Sequence, residues 1–293
     1  MYSGFITPKH TSKRLGVHQR FDVAAHSMIS PYLKPKSFPG AKSIIHFEGY
    51  NGPDGIKVKS PGVDDPNHFY DPYTEVGELP QHIQNHYDGL VAALREPDLV
   101  RAAFEASWLA HYVVDGLTPA HHYPYTEKIV ELREGPEALK QRQKKASGPL
   151  RNDATGVHKG LVISDSVRSM LKGNWGLWGG KGVMSTHLNF EFGVATTLLF
   201  SKINVSLNET MLAEARQLSL MQFFKQEARN VADLDLYERF YKVGWTAELA
   251  RIVREQIAPH ACQVVGIIWL LAYLEAGQNE LIKPKRAKSP GKL

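Results

Sequence analysis

One short segment of the chain combines imidazole and carboxylate side chains at a spacing that suits metal binding. His111 and Asp115 lie four residues apart in an apolar stretch of helical periodicity, which Gly116 and Pro119 then end. On a helix, residues four apart share one face, so both side chains could reach the same metal ion. Burying an imidazole and a carboxylate among apolar residues is costly without a partner. Because His121 returns just after Pro119, the pattern favours a metal over a simple hydrogen-bonded pair.

Other residues with metal-binding chemistry are spread along the chain. His187 and Glu191 repeat the four-residue spacing on another apolar segment, although such a pair is more often a surface ion pair. His68 opens the pentapeptide HFYDP, and Asp54 precedes it by fourteen residues in a stretch rich in turn residues. His18 stands at the start of a predicted helix. Taken singly, each of these residues is open to a purely structural interpretation.

The order of these motifs resembles the zinc-dependent phospholipase C and S1/P1 nuclease superfamily. The resemblance covers residues 16–191, about 60% of the chain. It rests on His18, Asp54, His68-Phe-Tyr-Asp-Pro, His111-x-x-x-Asp115-x-x-x-Pro119-x-His121 and His187-x-x-x-Glu191. What the resemblance implies is a mostly helical protein with zinc ions that hydrolyse phosphodiesters.

The resemblance also implies a ligand set for three ions. The first ion would take Asp54, His68 and His111; the second would take His18 and share Asp115 with the first; the third would take His121, His187 and Glu191. In the implied mechanism, Asp115 bridges two ions that hold hydroxide, the third ion neutralises charge on the phosphate, and Asp54 doubles as an orienting or general-base carboxylate. Asp54 and Asp115 are therefore the expected catalytic residues.

The chain departs from the superfamily at its N-terminus. Secreted members complete the His18 ion with an N-terminal tryptophan, whereas seventeen residues precede His18 here. Another group could complete the coordination of the ion at His18, or that ion could be absent, so that only two ions bind. The residues that could stand in for implied ligands are His10 and His26 for His18, and Asp64 and Asp65 for Asp54.

Three further histidines are not expected to bind metal directly. His82 and His86 are four apart but lack a carboxylate at the matching step, so we expect them at the surface or hydrogen-bonded to a ligand. We expect His122 at most to support a ligand in the same way.

The insert, residues 122–186, is longer than the corresponding link in the phospholipases and could cover or reshape the cleft. Its Trp175 and Trp178 could stack on a base or lie against an acyl chain. We expect instead that they pack the insert onto the body of the protein.

Helical patterns dominate the rest of the chain, and no segment alternates with a period of two between hairpin turns, which predicts an all-α fold. The predicted helices are Gly16–Ile29, Leu79–Arg95, Asp98–Asp115, Thr186–Phe200, Leu234–Ile257 and Pro259–Glu275. The residues Ser206 to Glu209 have the form of a capping box. The glycine- and proline-rich stretches 38–72 and 148–183 are predicted to be irregular.

Composition places the chain among soluble globular proteins, with 293 residues, 43% hydrophobic and 22% charged. We expect one domain over residues 1–280 and a disordered basic tail over 281–293. Five of the 35 basic residues lie in that tail, and the other 30 balance the 30 acidic residues, which argues against strong capture of nucleic acid. The single cysteine, Cys262, excludes an internal disulfide and a zinc site made of several thiolates.

Two stretches of the chain bear on where in the cell the protein is expected. The stretch 261–276 is shorter than the ~20 residues that span a bilayer, so we expect a buried helix there. Residues 1–17 show no apolar region of the signal-peptide kind, which makes a cytoplasmic location the default expectation.

The sequence therefore predicts a zinc-dependent phosphodiester hydrolase with two or three zinc ions. The preferred substrate is a phospholipid, cleaved at its headgroup as by a phospholipase C, with contact at a membrane surface. Single-stranded nucleic acid is the alternative substrate, and a helical protein that zinc stabilises without turnover is the alternative function. The sequence names no substrate-binding residue.

Overall fold

The computed structural model describes residues 15–59, 68–96, 98–145, 161–162, 166–199, 201–277 and 281. Helices form most of this described part, which confirms the all-α fold class. The α-helices are α1 (Val17–Ile29), α2 (Ala41–His46), α3 (Pro53–Lys59), α4 (Leu79–Arg95), α5 (Leu99–Gly116), α6 (Tyr125–Glu134), α7 (Pro136–Lys145), α8 (Val167–Trp178), α9 (Val183–Leu199), α10 (Glu209–Ala215), α11 (Leu220–Ala232), α12 (Leu236–Val243), α13 (Ala247–Ile252) and α14 (Ala258–Glu275).

Strand structure in the described part is confined to one small hairpin. Strand β1 (Tyr70–Asp71) pairs antiparallel with β2 (Val76–Gly77), two residues on each side. Short 3-10 helices follow α1 at Ser30–Tyr32, precede α3 at Gly49–Asn51 and follow α5 at Pro119–His122. A π-helical turn, Val253–Ile257, joins α13 to α14.

Five predicted helices, those that match α1, α4, α5, α9 and α14, are present with ends that differ by at most three residues. Their apolar periodicity and end signals explain this agreement. Asp98, for example, precedes α5 and accepts hydrogen bonds from the backbone N–H groups of Val100 and Arg101, as an N-cap residue should.

The prediction that residues 38–72 and 148–183 are irregular is wrong for the described parts of these stretches, because α2, α3 and α8 lie within them. Residues 60–67, 148–160 and 163–165 lie outside the described part of the chain. Two glycines of α8 explain why its sequence was misleading. A Cβ at Gly173 would lie 2.5 Å from Val162 Cγ1, and one at Gly176 would lie 2.8 Å from Leu132 Cδ2. Glycine is therefore needed for close packing in this helix, and tertiary contacts outweigh its low helix propensity.

Two predictions about helix ends in the C-terminal half are also wrong. The helix α10 is capped by Asn208, whose side chain accepts from the backbone N–H of Met211, and not by Ser206. The predicted helix 234–257 is interrupted at Gly244, which has a φ of +77°. Thr246 then caps α13. Glycine adopts this left-handed conformation without a steric penalty, so the helix ends there.

One large hydrophobic core runs through the described residues from Val17 to Tyr273, and a small second cluster surrounds Leu177. The helix α14 lies in the middle of the large core and packs against α1, α4 and α5. By length and composition the run 247–275 could cross a membrane, but 72% of its most apolar window is buried inside the protein. The expectation of a buried helix here is therefore confirmed. The predicted basic tail, apart from Leu281, lies outside the described residues, as do His10, Asp64 and Asp65.

Candidate metal centre

The centre is built around the C-terminal half of α5, which is buried on all sides. His111 and Asp115 are both fully buried there. Their four-residue spacing brings His111 Nε2 to 3.3 Å from Asp115 Oδ2. The predicted convergence of these two side chains on one face is therefore present.

Asp115 is the junction of the centre, because each of its carboxylate oxygens lies beside two imidazoles. Oδ1 is 3.4 Å from His18 Nε2 and 3.3 Å from His121 Nε2. Oδ2 is 2.5 Å from His68 Nδ1, in addition to its contact with His111. A carboxylate with four nitrogens around it has the geometry of a bridging ligand.

Three groups of side chains in the described residues bring their ligand atoms within 4.8 Å of one another. These groups are His18, His111 and Asp115; Asp54, His68 and His111; and His121, His187 and Glu191. The eight residues expected from the sequence are thus brought together, and together they make up the three groups. His111 belongs to the first two groups, and the contact between Asp115 and His121 joins them to the third.

Separate elements position the ligands that do not lie on α5. His18 is on the first turn of α1, and its ring stacks on that of His111 with centroids 4.0 Å apart. His68 lies two residues before the start of β1, whose Tyr70 is buried in the core. Asp54 lies in the first turn of α3.

The third group depends on a sharp turn and on a second helix. The turn after α5 is fixed by Thr118, which donates its hydroxyl to the Val114 carbonyl at 2.7 Å. The 3-10 helix that follows then places His121 Nε2 3.3 Å from Glu191 Oε1. His187 lies one turn earlier on α9, with its Nε2 3.2 Å from the same oxygen.

Glu48 is a buried member of the centre that the sequence did not indicate. It lies between α2 and the 3-10 helix at Gly49–Asn51 and is 3% exposed. His111 Nδ1 donates to its carboxylate at 3.2 Å, and the backbone N–H of Gly49 donates to it at 3.1 Å. Such a carboxylate fixes the orientation of an imidazole and leaves Nε2 directed at a metal.

Burial and the neighbouring charges set the ionisation of the centre. Burial lowers the pKa of His111, but the charges of Glu48 and Asp115 outweigh it and raise the pKa to about 10. Burial lowers the pKa of His121 to about 4, so its imidazole is neutral at neutral pH. Burial raises the pKa of the carboxyls of Asp115 and Glu191, yet adjacent imidazoles hold both pKa values well below the usual range. The carboxylates are therefore charged, which is the form that binds a metal ion.

No protein-family model and no curated protein matches this chain. What the protein does must therefore be inferred from the chemistry of the three groups.

The other histidines in the described part of the chain lie outside these groups. His82 stacks on Tyr112 with ring centroids 4.8 Å apart. His86 Nδ1 is 2.6 Å from Glu105 Oε2, so it forms a hydrogen bond away from the centre. His122 Nε2 donates to the Gly116 carbonyl at 2.8 Å and thereby supports the turn that carries the third group.

We expect Glu48→Gln to weaken metal binding at His111 by about 10–100-fold, the usual cost of losing a carboxylate that orients a ligating imidazole. The measurement is zinc affinity by competition with a chromogenic chelator. Glu137→Gln is the matched control, because Glu137 is exposed and pairs only with Lys140 among the described contacts. Equal affinity in both variants would contradict the role given to Glu48.

Proposed function

We propose that this protein is a zinc-dependent phosphodiester hydrolase that acts on phospholipids in the manner of a phospholipase C. The observation that carries the proposal is the convergence of three ligand groups on Asp115. A polynuclear site of this kind is typical of enzymes that transfer phosphoryl groups, where neighbouring ions act on both sides of the reacting phosphorus.

The donor set fits zinc. Every group offers at least one imidazole nitrogen and one carboxylate oxygen, which are ligands that zinc favours, and the nitrogen content disfavours magnesium and calcium. One ion would take Asp54, His68 and His111, a second would take His18, and Asp115 would ligate both; the third ion would take His121, His187 and Glu191. His111 would serve one ion only, because its Nδ1 already donates to Glu48. When bound, zinc supplies a nucleophile at neutral pH by acidifying water, and it neutralises charge on the phosphate.

The exposure of the ligands supports the approach of a substrate from one side of the centre. Asp115 and His68 are fully enclosed, whereas the side chains of Asp54, His187 and Glu191 are 19%, 13% and 14% exposed. A phosphodiester would therefore enter between α3 and α9. Of the two carboxylates on this side, Asp54 is the one that could accept a proton from water, because Glu191 lies between His121 and His187.

Apolar residues beside this opening favour a lipid over nucleic acid. Leu188 and Phe192 follow His187 and Glu191 directly on α9 and are 47% and 68% exposed. An exposed apolar edge suits acyl chains, whereas capture of nucleic acid depends mainly on basic residues that contact phosphates.

The experiment that tests the proposal is a substrate panel with zinc-loaded protein. We expect release of phosphorylated headgroup from phosphatidylcholine, hydrolysis of bis-p-nitrophenyl phosphate, and little cleavage of single-stranded DNA or RNA. Preferred cleavage of nucleic acid would replace the lipid substrate with the nuclease alternative. Bound zinc without hydrolysis of any diester would leave only a structural role for the metal.

We expect His187→Ala to lose one zinc ion per chain and to slow diester hydrolysis by about 100-fold or more, because charge stabilisation at the phosphate is lost. The measurements are zinc stoichiometry by elemental analysis and the turnover rate. His260→Ala is the matched control, because His260 also pairs with a carboxylate, Glu227, at 3.2 Å but belongs to none of the three groups. Full metal content in His187→Ala would contradict the third ion site.

A further inference from the structure

The outer face of α8 carries a stripe of exposed apolar side chains. Val167, Leu171, Trp175 and Trp178 are 68%, 64%, 75% and 44% exposed. Their spacing of four, four and three residues places them on one side of the helix. The expectation that the two tryptophans pack the insert onto the body is therefore wrong for Trp175 and only partly met by Trp178.

The opposite face of α8 is packed in the ordinary way. Leu177 is fully buried with Ile129 and Val162 in the small hydrophobic cluster. Asn174 fixes the helix to the preceding chain, because its side chain both accepts from the Val162 N–H and donates to the Val162 carbonyl. The apolar stripe therefore does not contribute to the packing of the core. This is unusual, since a helix on a globular protein normally turns its polar side outward.

The charged residues that α8 and the turn after it carry are all basic. Residues 166–190 include Arg168, Lys172 and Lys181 but no aspartate or glutamate. These three basic residues are exposed, and the first two flank the stripe on α8 itself. Exposed tryptophan and leucine beside lysine and arginine form the composition of helices that lie in the interface of an anionic membrane.

This face continues onto the helix that carries the third ligand group. Ser185 donates its hydroxyl to the Trp178 carbonyl at 2.9 Å and ties the start of α9 to the end of α8. Phe192 of α9 lines a groove with Tyr241 and Val243, and Lys181 stands over the Tyr241 ring at 5.2 Å. Exposed apolar and basic side chains therefore lie on α8, on the turn that follows it and on the adjoining part of α9.

We propose that α8 and the turn 179–182 dock the protein onto an anionic phospholipid membrane, with Trp175 and Leu171 among the acyl chains and Arg168, Lys172 and Lys181 at the headgroups. A second copy of the chain would bring the same positive charge to this face. Nucleic acid would leave the aliphatic side chains unused. That docking also presents headgroups to the metal centre rests on the proposed function, whereas the docking itself does not.

The test is co-sedimentation of the full chain with vesicles, compared between pure phosphatidylcholine and phosphatidylglycerol mixed with phosphatidylcholine in equal parts. We expect binding to the anionic vesicles, with Trp175 fluorescence quenched by brominated acyl chains. Leu171→Glu should lower the affinity by about tenfold or more. Val100→Glu is the matched control, because Val100 is 70% exposed at the start of α5 and should bind like the unmodified protein.

The outcomes separate docking from catalysis. Equal binding of Leu171→Glu and Val100→Glu, or no binding of the unmodified protein to anionic vesicles, would overturn the docking surface. A dimer in gel filtration that only Leu171→Glu dissociates would assign the face to a second copy and also overturn it. Vesicle binding by a protein that hydrolyses no phospholipid would contradict the proposed function and leave the docking surface standing.

Discussion

Replacing Asp115 by asparagine is expected to abolish diester hydrolysis and to release metal from the first group. The carboxylate contacts imidazoles on both of its oxygens, and an amide would present an NH₂ group to two of these nitrogens. The change keeps the size of the side chain but removes the negative charge that balances bound cations. We expect the rate to fall by about a thousandfold or more, since a metal contributes several kcal/mol to the transition state.

Asp88→Asn is the matched control for this variant. Asp88 is exposed on α4 and accepts a hydrogen bond from the Gln84 side chain, so the same chemical change there should leave metal content and turnover intact. Circular dichroism separates loss of the site from loss of the fold. A folded Asp115→Asn protein that keeps full zinc content and activity would contradict the bridging role.

Removing the metal is expected to cost both activity and stability. Without ions, the imidazoles and carboxylates of the three groups, most of which are buried, must satisfy one another. An ion present at a thousand times its dissociation constant adds about 4 kcal/mol to the free energy of unfolding. For a chain of this size each kcal/mol moves the melting temperature by roughly 2–4 °C. Chelation should therefore lower the melting temperature by about 10 °C.

Metal identity provides the control for that experiment. Zinc added back after dialysis should restore both the melting temperature and hydrolysis. Magnesium or calcium should restore neither, because both prefer oxygen ligands and the three groups are rich in nitrogen. A melting temperature unchanged by exhaustive chelation would show that these side chains are stable without a metal and would remove the support for the centre.

The local part of the site could be predicted from the sequence because helix geometry determines it. The four-residue spacings of His111 with Asp115 and of His187 with Glu191 place each pair on one helix face wherever the helix forms. The placement of His121 required only that Pro119 end the preceding helix. These features depend on neighbouring residues, so a single sequence contains them.

The long-range part could not be derived from spacing. His18, Asp54 and His68 reach Asp115 through the packing of α1, α3 and the segment before β1, and only the resemblance in motif order suggested them. Glu48 had no signal, because it lies in a stretch predicted to be irregular and belongs to no repeated pattern. Its position follows from the burial of α2 against α5, which is a tertiary effect.

The most direct test of the centre is anomalous X-ray scattering at the zinc edge from crystals of the zinc-loaded protein. The proposal predicts one peak in each of the three groups, at about 2.0–2.2 Å from imidazole nitrogens and carboxylate oxygens, with Asp115 touching two of the ions. Zinc peaks only at exposed histidines such as His46, with none beside Asp115, would contradict a polynuclear centre in this protein.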